Sequence, residues 1–113
     1  MTFHRLRQIL QSLGSRRRAF FLRLAGMKIE GRVWLGRIEC PSRPKCITLG
    51  EGAALDRAVT LLATNDSARI LIGARTYVNR STMFDASDRI EVGEQAMIGP
   101  FCYITDHDHV AIS

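Results

Sequence analysis

At 113 residues the chain has room for one domain. Its 16 Lys and Arg against 11 Asp and Glu give a formal +5, but the excess is local: residues 1–32 hold eight basic residues and only Glu30, for +7, and the rest hold eight basic and ten acidic residues, for −2. A nearly neutral body argues against a nucleic-acid surface, and no apolar stretch is long and charge-free enough to span a membrane.

In chain order, Phe3, Leu6, Leu10 and Leu13 recur at steps of three and four with Ile9 beside them, which predicts an amphipathic helix over residues 3–13. Gly14-Ser15 is expected to interrupt it before Arg16-Arg17-Arg18 and Ala19-Phe20-Phe21-Leu22. Two uses are open to this segment, which we take as residues 1–25. It packs as a cap across the end of the following domain, or it lies on an anionic membrane surface as a basic amphipathic helix. The Arg pair before Phe20-Phe21 faintly resembles an export signal, but no long uncharged apolar core follows it, so export is not expected.

From residue 26 to 113 we expect one all-β domain. Ile29 to Cys40 reads as a degenerate first coil, with Ile29 and Leu35 as heads and Val33 four places after the first. Pro41-Ser42-Arg43-Pro44 is a loop. A sixfold repeat then runs three times: apolar heads stand at 49, 55 and 61, at 72, 78 and 84, and at 92, 98 and 104. Four places into each complete block sits Ala53, Val59, Thr76, Thr82, Ala96 or Cys102, all small or medium in size. Neither a helical nor a hairpin period accounts for this. Short strands that turn a corner every six residues do, because three corners close a triangular coil whose heads point inward and whose apolar face is buried only by stacking. Polar stretches at residues 64–68 and at Asp85 to Asp88 are expected as exposed loops that absorb the residues in excess of 18 per coil. A short solenoid leaves its ends unprotected, so a cap or oligomerisation is expected.

Cys40, Cys46 and Cys102 form an odd set with no leader in front of them, which points to a reducing compartment. Cys102 occupies a small-residue slot and reads as a buried hydrophobe. A zinc site at Cys40 and Cys46 lacks a second ligand pair nearby.

Beyond the last head the sequence reads Thr105-Asp106-His107-Asp108-His109. Three uses are open for it. One histidine acts as a general base, held by a neighbouring carboxylate. Alternatively, His107 and His109 bind a metal with Asp106 or Asp108, which requires a loop because alternate strand residues face opposite ways. The third is an exposed polar loop without a task.

The blocks leading into Ile98-Gly99-Pro100-Phe101-Cys102-Tyr103-Ile104-Thr105-Asp106-His107-Asp108-His109 resemble the hexapeptide-repeat acyltransferases, in particular sugar O-acetyltransferases. The likeness covers about residues 26–109 and is strongest over 72–109, where Tyr77-Val78-Asn79 also fits. It implies a left-handed parallel β-helix of about four coils behind an N-terminal helix, a homotrimer, acetyl-CoA as co-substrate, and a sugar or surface-glycan precursor as acceptor. No metal is required. Counted from Ile98-Gly99-Pro100, the family's catalytic histidine falls on His109, with His107 as second choice. Asn79 or Ser81 matches the polar residue that orients the acceptor, and Asp85 and Asp106 are further substrate-binding candidates. A plain corner or loop role stands against each of Asn79, Ser81 and Asp85. Such an enzyme works in the cytoplasm, at the inner membrane face if residues 1–25 engage a bilayer. The family carries further coils after the histidine, whereas this sequence ends at Val110-Ala111-Ile112-Ser113. The expected product is therefore an N-terminal part of such an enzyme, or a non-catalytic fragment serving as an oligomerisation or interaction module.

Overall fold

The computed structural model describes residues 2–107. One helix, α1 (Phe3–Leu24), precedes eleven short strands: β1 (Lys28–Ile29), β2 (Trp34–Leu35), β3 (Ile47–Leu49), β4 (Ala54–Leu55), β5 (Thr60–Ala63), β6 (Arg69–Ile72), β7 (Tyr77–Val78), β8 (Met83–Ala86), β9 (Arg89–Val92), β10 (Met97–Ile98) and β11 (Tyr103–Thr105). They form a parallel β-solenoid of about four turns. Its first face is ordered β1-β3-β6-β9, its second β2-β4-β7-β10 and its third β5-β8-β11.

The register is the one that the repeat predicts. Ile29, Leu49, Ile72 and Val92 stack on the first face, Leu35, Leu55, Val78 and Ile98 on the second, and Leu61, Phe84 and Ile104 on the third. The first coil has a third side too, joined through Glu39 to Thr60. Heads of the inner coils are fully buried, as are the small residues Ala53, Val59, Thr76 and Thr82 between them. Both threonines also join coils: Thr76 Oγ1 donates to Gly93 O at 2.7 Å and Thr82 Oγ1 to Gly99 O at 2.8 Å. Burial of apolar heads at roughly 25 cal/mol per Å² drives the stacking, and the parallel ladders satisfy the backbone.

Three sequence expectations are corrected. The helix runs unbroken through Gly14-Ser15, because docking outweighs the roughly 1 kcal/mol that glycine costs in a helix. Asp85 is no loop residue: it lies in β8, paired with Leu62 and Thr105 on either side, and is 9% exposed. Cys102 is half-buried rather than buried, because no described coil lies over it. The excursion at 64–68 is present, closed by Asn65 Oδ1 accepting from the Ser67 and Ala68 N–H groups.

Each complete corner has a left-handed residue three places after its head: Gly52, Ala58, Arg75, Ser81, Gln95 and Phe101 all have φ between 56° and 77°. Only Gly52 is a residue type that favours this conformation.

At the start of the solenoid, the edge strands present unpaired backbone groups, and α1 satisfies them with polar side chains. Ser15 Oγ accepts from Leu35 N at 2.7 Å, Arg18 Nε donates to Leu35 O at 2.9 Å, and Arg23 Nη2 donates to Gly31 O at 2.6 Å. Ser15 and Ala19 are buried here, with Leu22 packed against the core. The opposite edge, formed by β9, β10 and β11, is uncovered among the described residues, and its heads Val92, Ile98 and Ile104 are only half-buried.

Candidate functional site

Asp85 and Thr105 face each other across the third ladder, and the turn after β11 brings Asp106 and His107 over them. Tyr103 Oη donates to Asp85 Oδ2 at 2.6 Å, and Thr105 Oγ1 donates to the Asp85 carbonyl at 2.9 Å. The imidazole of His107 sits between two carboxylates. Its Nε2 lies 3.6 Å from Asp85 Oδ2, and its Nδ1 lies 3.3 Å from Asp106 Oδ1 and 3.1 Å from Thr105 Oγ1. The first distance is ion-pair range, too long for a hydrogen bond. The Nδ1 side of the ring thus has close partners, and the Nε2 side faces Asp85 at ion-pair distance.

The two carboxylates do different work. Asp106 is a clamp on the coil beneath it: Oδ1 accepts from Ser87 N at 2.8 Å, and Oδ2 accepts from Asp88 N at 2.7 Å and from Arg89 N. Its side chain is 14% exposed. Partial burial pushes its carboxyl upward, but the Ser87, Asp88 and Arg89 N–H groups and His107 together outweigh that and hold it well below the usual carboxylate range. Asp85 is less satisfied. Its Oδ1 is buried and has no hydrogen-bond partner among the described residues, an uncommon state for a native carboxylate oxygen. The hydrogen bond to Asp85 in turn raises the Tyr103 hydroxyl above the ordinary phenol range, because a proton there is held by an anion.

Of the sequence candidates, the structure brings together Asp85, Asp106 and His107. Asn79 and Ser81 lie elsewhere, at the corner between the second and third faces, separated from this cluster by the length of β8, about 10 Å of extended strand. Asn79 Oδ1 accepts from Arg80 N at 2.7 Å, a local turn bond, and Ser81 holds one of the left-handed corner positions. Arg80 stacks over the Phe101 ring at 5.3 Å beside them. His109, the first choice for the base, lies outside the described residues, as do Asp108 and Val110 to Ser113. Among the described residues no three His, Cys, Asp or Glu side chains are grouped to hold a metal ion.

Sequence reasoning did not single out Tyr103 and Thr105. The signal was the spacing: Phe84 and Ile104 are heads of successive coils, so Asp85 must neighbour Thr105.

Fold and cluster together define a parallel β-solenoid with an imidazole between two carboxylates on its last described coil. No family model, curated protein or solved structure matches the chain.

Proposed function

We propose that this chain is an acetyl-CoA-dependent O-acetyltransferase, or its N-terminal part, acting on a hydroxyl of a sugar or surface-glycan precursor in the cytoplasm. The observation that carries the reading is the His107 imidazole placed beside a buried carboxylate with a free oxygen, at the end of a rigid solenoid. In the proposed reaction an imidazole of the 107–109 segment takes the acceptor's hydroxyl proton. The oxygen bonds to the thioester carbonyl, the C–S bond then breaks, and the departing thiolate takes up the proton. If the base is His107, Asp85 at ion-pair distance stabilises its protonated ring, and the Asp106 clamp fixes the turn that carries it. A placed base supplies about 10²–10⁴-fold, and positioning of the two substrates supplies more. The homotrimer is part of this proposal, with further site residues contributed by neighbouring copies.

Acetyl transfer from acetyl-CoA to a panel of sugars tests it, with the full chain, His107→Ala and His109→Ala. Loss of about 10²-fold or more in one variant assigns the base. Equal rates in all three refute a histidine base. A second reading, an oligomerisation or interaction module without catalysis, is favoured by the edge at β9, β10 and β11, which is uncovered among the described residues. No binding of CoA in calorimetry together with a stable trimer in sedimentation supports that alternative.

A further inference from the structure

The face of α1 that touches the solenoid is its small and polar one. Set out at about 100° per residue, Phe3, Leu6, Leu10, Leu13, Phe20 and Leu24 fall on an arc of about 100° that points away from Ser15 and Ala19. All six are exposed, from 45% for Leu6 to 81% for Phe3. Such an apolar stripe on a surface helix requires a partner.

The charges identify the partner's chemistry. Between Phe3 and Leu24 there are six arginines and no acidic residue. Arg5 and Arg16 border the stripe on one side, Arg7 borders it on the other, and Arg17 stands within it. Arg18, on the far side of Arg7, is depressed from its ordinary value by burial first and then by the like charge of Arg37. Arg7, Arg18, Arg37 and Arg57 line one concavity with Trp34 and a single carboxylate, Asp56, beside the helix, so positive charge exceeds negative along the stripe's border. A second copy of this helix would bring like charges together. An anionic bilayer instead offers both an apolar interior for the stripe and phosphates for the arginines, whose long stems let the guanidinium groups stay at headgroup level.

We propose that α1 is a membrane-surface element: its outward stripe inserts at the headgroup boundary of an anionic bilayer, with the solenoid carried on the cytoplasm-facing side of the helix. Since no described helix is long and apolar enough to cross a membrane, the contact is peripheral. This holds whether or not the chain transfers acetyl groups.

Flotation of the full chain with phosphatidylcholine vesicles, and with the same vesicles containing phosphatidylglycerol, tests it. Binding is expected on the anionic vesicles alone and weakens as salt is raised. The triple variant Leu6→Ser, Leu10→Ser, Leu13→Ser leaves in place Ser15, Arg18 and Arg23, which bond the helix to the solenoid, and is expected to lose partitioning by about tenfold or more. Arg16→Glu with Arg17→Glu is expected to do the same. Circular dichroism confirms that both variants stay folded. Absence of flotation by the parent chain overturns the proposal. So does undiminished flotation by the triple variant, self-association that the triple variant abolishes while vesicles go unbound, or binding to duplex DNA in place of vesicles.

Discussion

Gly73→Ala puts the stacking of the coils to a quantitative test. A Cβ at Gly73 would lie 2.5 Å from the C and O atoms of Gly93 and 2.7 Å from Glu94 N, all of them backbone that cannot swing aside. Neither Gly73 nor Gly93 has a positive φ, so alanine meets no conformational penalty and the contact alone decides. Relief requires β6 and β9 to part locally, against the bond from Gly73 N to Val92 O at 2.8 Å and four paired residues beside it. Overpacking of this kind costs about 1–3 kcal/mol, and a weakened backbone hydrogen bond adds about 1 kcal/mol, so a loss of about 2–4 kcal/mol is expected. Gly93→Ala is the matched control, since a Cβ there meets nothing within 4 Å among the described residues. It should change stability by less than about 0.5 kcal/mol. Urea unfolding followed by circular dichroism, with the slopes compared, reads both values. Equal small losses would refute the close backbone approach. Equal large losses would refute the open last coil.

Replacing Asp106 by alanine strands three backbone N–H groups on the turn at Ser87 to Arg89 and should cost about 2–4 kcal/mol in urea unfolding. Because its folded carboxyl lies below the unfolded value of about 3.9, its contribution is whole above about pH 4 and fades as the pH falls below that; a parent-minus-variant difference that grows on acidification contradicts this sign. Ala58→Gly relieves a left-handed alanine of about 1–2 kcal/mol against about 0.4–1 kcal/mol of chain entropy, so a small gain in the urea midpoint is expected. Both tyrosines donate to carboxylates, Tyr77 to Asp56 and Tyr103 to Asp85, and both hydroxyls are raised. Phenolate absorbance should therefore develop above the ordinary value of about 10, and Asp85→Asn should bring one of the two transitions down.

The prism was legible because its signal is carried by volume. Apolar heads at every sixth residue and small residues between them must stack in one way, and Ile29, Leu49, Ile72 and Val92 do. Corner conformations left no comparable trace. Ala58, Arg75, Gln95 and Phe101 are not residues that seek a left-handed φ, and they take it because the stacked neighbours fix the chain there. At the cluster, Asp85-Ala86-Ser87-Asp88 has the composition of a loop. The spacing between coils outranks composition and extends β8 through Ala86. Gly14 misled for a related reason: a side chain there would come within 3.2 Å of the Arg18 guanidinium, so the glycine leaves room for the arginine that closes the edge of β2.

The two ends of the solenoid explain why the helix is built as it is. A sheet edge offers N–H and C=O groups rather than apolar surface, so the face that closes it must bring Ser15, Arg18 and Arg23. The apolar residues of α1 are thereby turned outward. With neighbouring strands about 4.8 Å apart, His107 on the fourth coil lies about 15 Å along the axis from the first coil, where the helix docks. Membrane contact and acyl transfer are therefore separable by mutation. The triple serine variant should leave transfer to a soluble sugar unchanged, and a histidine variant should leave flotation unchanged. If the serine variant lost transfer to a soluble acceptor, the stripe would belong to the substrate site and not to a bilayer.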